Sequence, residues 1–106
     1  MAKYLFQANY VGEGVKGLLK EGGSSRRAVV EKLAKSLGGT VEAFYYAFGA
    51  TDLYVIMDLP DHASAAALAL SVGATGTATV KTTVLMTPAE VDEAAKKTPS
   101  YRPPGQ

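Results

Sequence analysis

Apolar and polar residues alternate along residues 4–10, with Tyr4, Phe6, Ala8 and Tyr10 on one side of an extended chain and Leu5, Gln7 and Asn9 on the other. A period of two predicts a strand. Gly12-Glu13-Gly14 then opens a short segment in which Val15, Leu18 and Leu19 recur at helical spacing, interrupted by Gly22-Gly23-Ser24-Ser25. From 26 to 37 the apolar positions Val30, Leu33, Ala34 and Leu37 fall at i, i+3, i+4 and i+7. That spacing predicts a helix, capped by Ser24 or Ser25 and stopped at Gly38-Gly39. Residues 40–48 and 52–59 read as two strands joined by the hairpin-length connection Gly49-Ala50-Thr51. The Ala-rich stretch 62–72 is a helix by propensity, with Asp61 as its N-cap. A β-branched strand follows at 77–85, and Thr87-Pro88-Ala89-Glu90 reads as a capping box opening a short helix from 88 to about 97.

The order β-α-β-β-α-β predicts an α+β fold, the ferredoxin-like sandwich with a short extra C-terminal helix, over residues 1–97, and a Pro-rich extended tail over 98–106. Two helices cover one face of such a sheet and leave the other bare. The second strand carries Val41, Ala43, Tyr45 and Ala47 on one side and Phe44, Tyr46 and Phe48 on the other; the third sets Leu53, Val55, Met57 and Leu59 against Tyr54 and Ile56. Bulky residues on both sides predict that the second face is buried too. Sheet-to-sheet packing of two copies, the association of dimeric α/β barrels, would bury it and leave a cavity between subunits. The expected partner is therefore the chain itself, in a homo-oligomer of at least two subunits.

The join Phe48-Gly49-Ala50-Thr51-Asp52-Leu53-Tyr54 resembles the hallmark of the GYD-domain family, small bacterial and archaeal proteins with a ferredoxin-like fold, mostly of unknown function. Gly14-Val15-Lys16-Gly17-Leu18, Gly38-Gly39, Pro60-Asp61, Lys81-Thr82-Thr83 and Thr87-Pro88-Ala89-Glu90 extend the resemblance over about residues 3 to 97. Thr51 stands where the family motif has its tyrosine. The resemblance implies a fold and no activity.

Composition narrows the partners. Eleven Lys and Arg against ten Asp and Glu, interleaved along the chain, give a net charge of +1. No basic face of the kind that neutralises phosphates is expected, which argues against nucleic acid. The absence of cysteine excludes disulfides and thiolate metal sites and predicts a cytoplasmic protein, as does an N-terminus without a signal-like apolar run. No membrane span, metal or cofactor is expected.

Few residues carry candidate chemistry. His62, the only histidine, and Asp52, beside the hairpin turn, are candidate catalytic bases. The simpler roles are an exposed first-turn residue for His62 and an acceptor of backbone N–H groups for Asp52. Tyr45, Tyr46, Tyr54 and Lys81 are candidate ligand-binding residues, although a lysine on an edge strand also deters aggregation. Arg26 and Arg27 oppose the helix dipole at a helix start, which suits an external carboxylate or phosphate as well as plain solvated surface. The leading expectation is an oligomeric protein holding a small molecule in a Tyr- and Phe-lined inter-subunit cavity. The alternatives are a small cofactor-independent oxygenase or isomerase, and a scaffold without a pocket.

Overall fold

The computed structural model describes residues 1–47 and 49–106. Its elements follow the chain as β1 (Ala2–Tyr10), α1 (Glu13–Glu21), α2 (Gly23–Ser36), β2 (Thr40–Tyr46), β3 (Leu53–Leu59), α3 (His62–Ala74), β4 (Ala78–Leu85) and α4 (Pro88–Lys96). All three strand pairings are antiparallel, and the sheet order is β2-β3-β1-β4. This four-stranded α+β arrangement is the one the ferredoxin-like pattern requires, with the first and third strands at the centre.

The local signals explain most boundaries. Asp61 caps α3 by accepting from the Ser64 backbone N–H at 2.8 Å and its hydroxyl at 2.7 Å. Those contacts, hydroxyl first, hold its carboxyl below the usual range. Thr87 and Glu90 form the expected capping box of α4. The segment after β1 is a full helix rather than a fragment, separated from α2 by Gly22 at φ +84°. Because that glycine is the N-cap of α2, neither Ser24 nor Ser25 caps it, and the helix starts at Gly23, three residues earlier than its apolar spacing indicates. Of the expected β2 residues, Phe48 lies outside the described residues.

On the helix-covered face, Tyr4, Phe6, Leu53, Val55, Met57, Leu59 and Phe44 form the core with Ala34 of α2 and Ala65 and Leu68 of α3. An irregularity between Val41 and Ala43 corrects the face assignment in β2. Val41 pairs with Met57 and Phe44 with Val55, so Val41, Phe44 and Tyr46 share the covered face, while Ala43 and Tyr45 face the other side with Ile56 and Tyr54. Strict alternation cannot register the extra residue, Glu42.

The opposite face is mixed, not uniformly apolar. One row across it runs Tyr45–Tyr54–Gln7–Lys81 and the next Ala43–Ile56–Leu5–Thr83. Lys3 closes one end, with its ammonium 2.8 Å from Glu42 and 3.0 Å from Asp58. The short C-terminal helix does not cover this face, since every residue from Pro88 to Gln106 is exposed. The molecule measures 58 × 32 × 23 Å with a radius of gyration of 17.0 Å, against about 13 Å for a compact chain of this length.

Candidate functional site

Four polar side chains converge at one end of the sheet: Tyr10 at the end of β1, Tyr46 at the end of β2, Asp52 just before β3 and Arg26 in the first turn of α2. The antiparallel register brings the first three together. The β2–β3 hairpin is closed by the Ala47 N–H donating to the Asp52 carbonyl at 2.8 Å. The Asp52 N–H in turn reaches the Ala8 carbonyl at 3.1 Å and the Asn9 side-chain oxygen at 2.9 Å. The Asp52 carboxylate accepts from the Tyr10 backbone N–H at 3.0 Å. Asp52 thus clasps the hairpin to the end of β1 and fixes where Tyr10 stands.

This assigns Asp52 the backbone-bonding role that its position beside a turn suggests. A charge-assisted bond of this kind contributes about 1.5–3 kcal/mol. Asp52→Ala is expected to lower stability by about that amount, while Asp52→Asn, which keeps an acceptor oxygen, loses less. Urea unfolding of the two variants checks the order.

Two hollows open from the same corner. One cleft runs between α2 and α3 over the sheet, with α2 packed on β2 and α3 on β4 and β3. It holds about 320 Å³. Its floor is Phe6, Val55 and Met57 and its walls include Leu33 and Leu68, while Tyr10 and Arg26 stand among its few polar groups. The second hollow, about 410 Å³, lies under α1 and is lined by Tyr10, Val15, Leu18, Tyr46 and Asp52. A smaller groove of about 150 Å³ again includes Tyr10 and Arg26. Tyr10 is common to all three.

The Tyr46 hydroxyl donates to the Gly23 carbonyl at 3.0 Å, tying β2 to the start of α2. Burial, followed by the neighbouring Tyr10 phenol, pushes Tyr46 up to about 12, and the Arg26 charge opposes the shift. Tyr46 is therefore a neutral donor at physiological pH. A folded-state value above the unfolded one means that stability is intact below about pH 10 and is lost as pH rises toward about 12. A phenolate absorbance titration is expected to show a late-ionising group, and Tyr46→Phe is expected to remove it.

The other sequence candidates lie elsewhere. Tyr45, Tyr54 and Lys81 share the row on the opposite face of the sheet, where Tyr45 is 71% exposed and Lys81 is exposed on the edge strand β4. His62 is more than an exposed first-turn residue: its Nδ1 lies 2.6 Å from the hydroxyl of the buried Tyr4, and the two rings meet edge to face. A buried phenol needs a polar partner, and His62 is that partner. Asp52 precedes β3 and His62 follows it, so the strand's seven residues, roughly 20 Å, keep them from acting on one substrate atom. Among the described residues no group of three His, Cys, Asp or Glu side chains is placed to hold a metal ion, and no helix is long and apolar enough to cross a membrane.

A family model described as the GYD domain matches residues 4–95, nearly the whole chain. The chain belongs to the GYD-domain family. No curated protein and no solved structure matches it. Within this GYD domain, the aspartate of the hallmark segment is Asp52, and its contacts with Tyr10, Ala8 and Asn9 give that segment a structural reason to carry an acid. Tyr10 is the site residue that sequence reasoning missed. It ends an alternating strand and reads as core, and only the convergence of β1, α1 and α2 shows that it borders three cavities.

Proposed function

We propose that this GYD-domain protein binds a small molecule, and that the ligand lies in the cleft between α2, α3 and the sheet. The observation that carries the reading is the form of the cleft: about 320 Å³, apolar along its floor, with polar groups few in number. Small-molecule sites have this character, and the volume is at the lower end of their range of about 300–1,000 Å³. Tyr46, a sequence candidate, stands in the adjoining hollow beside Tyr10. The test is native mass spectrometry of protein purified from its own host, beside a Val30→Trp variant that fills the cleft from α2. A small molecule that travels with the wild type and is lost from the folded variant supports the reading. A ligand retained by the variant, or wild-type protein that carries none, overturns it.

A second reading concerns the uncovered sheet face. Tyr45 and Tyr54 lie opposite each other there, 71% and 39% exposed, beside Ile56 and Leu5. This apolar half of the face suits packing against the sheet of a second copy, with Lys81 at its edge. In that homo-oligomer Tyr45, Tyr54 and Lys81 are interface residues or line a space between subunits. Light scattering at micromolar concentration is expected to show at least a dimer, and Tyr54→Glu with Ile56→Glu is expected to give a folded monomer. A monodisperse wild-type monomer sinks it.

A further inference from the structure

Resting on the cleft reading above, we infer that the ligand is a small amphiphilic carboxylate whose apolar part lies over Phe6, Val55 and Met57 and whose anionic end meets Arg26, with the Tyr10 phenol beside it.

Among the described residues Arg26 is the only cation lining the cleft, and it also borders the groove beside it, with Tyr10, Glu13 and Glu21. Its guanidinium carries five N–H donors. Among the described residues it makes one side-chain contact, to Glu21 at 3.5 Å, the outer limit of a hydrogen bond. With 30% of its side chain exposed, it is partly withdrawn from water, and the long ion pair with Glu21 engages one of its nitrogens. A guanidinium in that position recognises a carboxylate through paired N–H donors, better than it recognises any neutral group.

The polarity of the cleft orients the ligand. Phe6, Val55, Met57, Leu33 and Leu68 offer no hydrogen-bonding side-chain group, so a second charge deep in the cleft would be stranded without a partner. The charge belongs at the Arg26 end, where the Tyr10 side chain also lines the cleft. Charge complementarity and depth together select a short acyl or single-ring acid over a polyanion, a sugar or an amine.

The test compares octanoate with 1-octanol by isothermal titration calorimetry on the full chain, in the wild type, Arg26→Gln and Arg26→Lys. The wild type is expected to bind octanoate at least about tenfold more tightly than octanol, a difference one charge-assisted pair can supply. Arg26→Gln is expected to bring the two within about twofold, by weakening octanoate and leaving octanol unchanged, and Arg26→Lys to restore part of the preference. Circular dichroism confirms that both variants are folded; Arg26→Lys also retains the charge should Arg26→Gln not fold. Equal binding of octanoate and octanol in the wild type overturns the carboxylate inference and leaves the cleft reading standing. Binding of neither overturns both, and a carboxylate preference that survives Arg26→Gln overturns the role given to Arg26.

Discussion

Replacing Gly14 with alanine is expected to lower the midpoint of thermal unfolding by roughly 10–20 °C, whereas the same change three residues on, Gly17→Ala, leaves it unchanged or raises it slightly. Both glycines lie in α1, and both gain helix propensity from a methyl group. They differ in what that methyl meets. At Gly14 an added Cβ overlaps the backbone carbonyl of Thr77, whereas at Gly17 nothing lies within 4 Å. The Thr77 carbonyl already accepts from the Val11 N–H at 2.9 Å, and the Gly14 N–H donates to the Val11 carbonyl at 2.9 Å. The approach of α1 to the start of β4 is therefore fixed by backbone, which cannot yield as a side-chain tip can. Alanine at 14 must push the helix outward, at a cost of about 2–3 kcal/mol or more. Because Val15 and Leu18 of α1 wall the hollow beside Tyr10, the displacement also opens the candidate site. Equal midpoints for the two variants would show that α1 does not rest against Thr77.

That contact also shows what the sequence can and cannot carry. Gly14-Val15-Lys16-Gly17-Leu18 is visible as a segment at helical spacing, but the close neighbour of Gly14 lies 63 positions on, in another element. The strand order, the capping of α3 by Asp61 and the capping box at Thr87 are legible because each rests on local patterning and on the few topologies open to it. The residue inserted at Glu42 is not, because alternation counts residues rather than hydrogen bonds, and one insertion moves Val41 from one face to the other. The site divides in the same way. Asp52 is legible as a turn acid, but its partner Tyr10 is 42 residues away. Arg26 stands out for its place in a first helical turn, while the gap between α2 and α3 that gives its charge a purpose is a matter of how two helices settle on a sheet.

That gap divides the covered face into a dry end and a cleft end, and the two are expected to respond differently to truncation. Leu59→Ala is expected to cost about 4 kcal/mol, toward the upper part of the range for a fully buried leucine. Leu59 is completely buried at the end of β3, away from the cleft, and Gly39 packs against it so closely that no backbone slack is left to fill the space. In a domain held together by about 5–15 kcal/mol, such a loss removes a large part of the margin. Phe6→Ala deletes a larger side chain from the central strand, yet Phe6 already faces the cleft. Its removal enlarges a space that water or a ligand can enter instead of creating a sealed void, so its cost is expected to fall below the usual range of about 3–5 kcal/mol for a buried phenylalanine. Ligand binding is expected to move the opposite way: Leu59→Ala leaves octanoate affinity unchanged at a temperature where the variant is folded, and Phe6→Ala weakens it by removing the floor under the acyl chain. Urea unfolding and calorimetry on the same two variants give both orders at once. A Phe6→Ala variant that loses more stability than Leu59→Ala and binds octanoate as the wild type does would mean that the cleft is closed in solution and that the core is continuous beneath both helices.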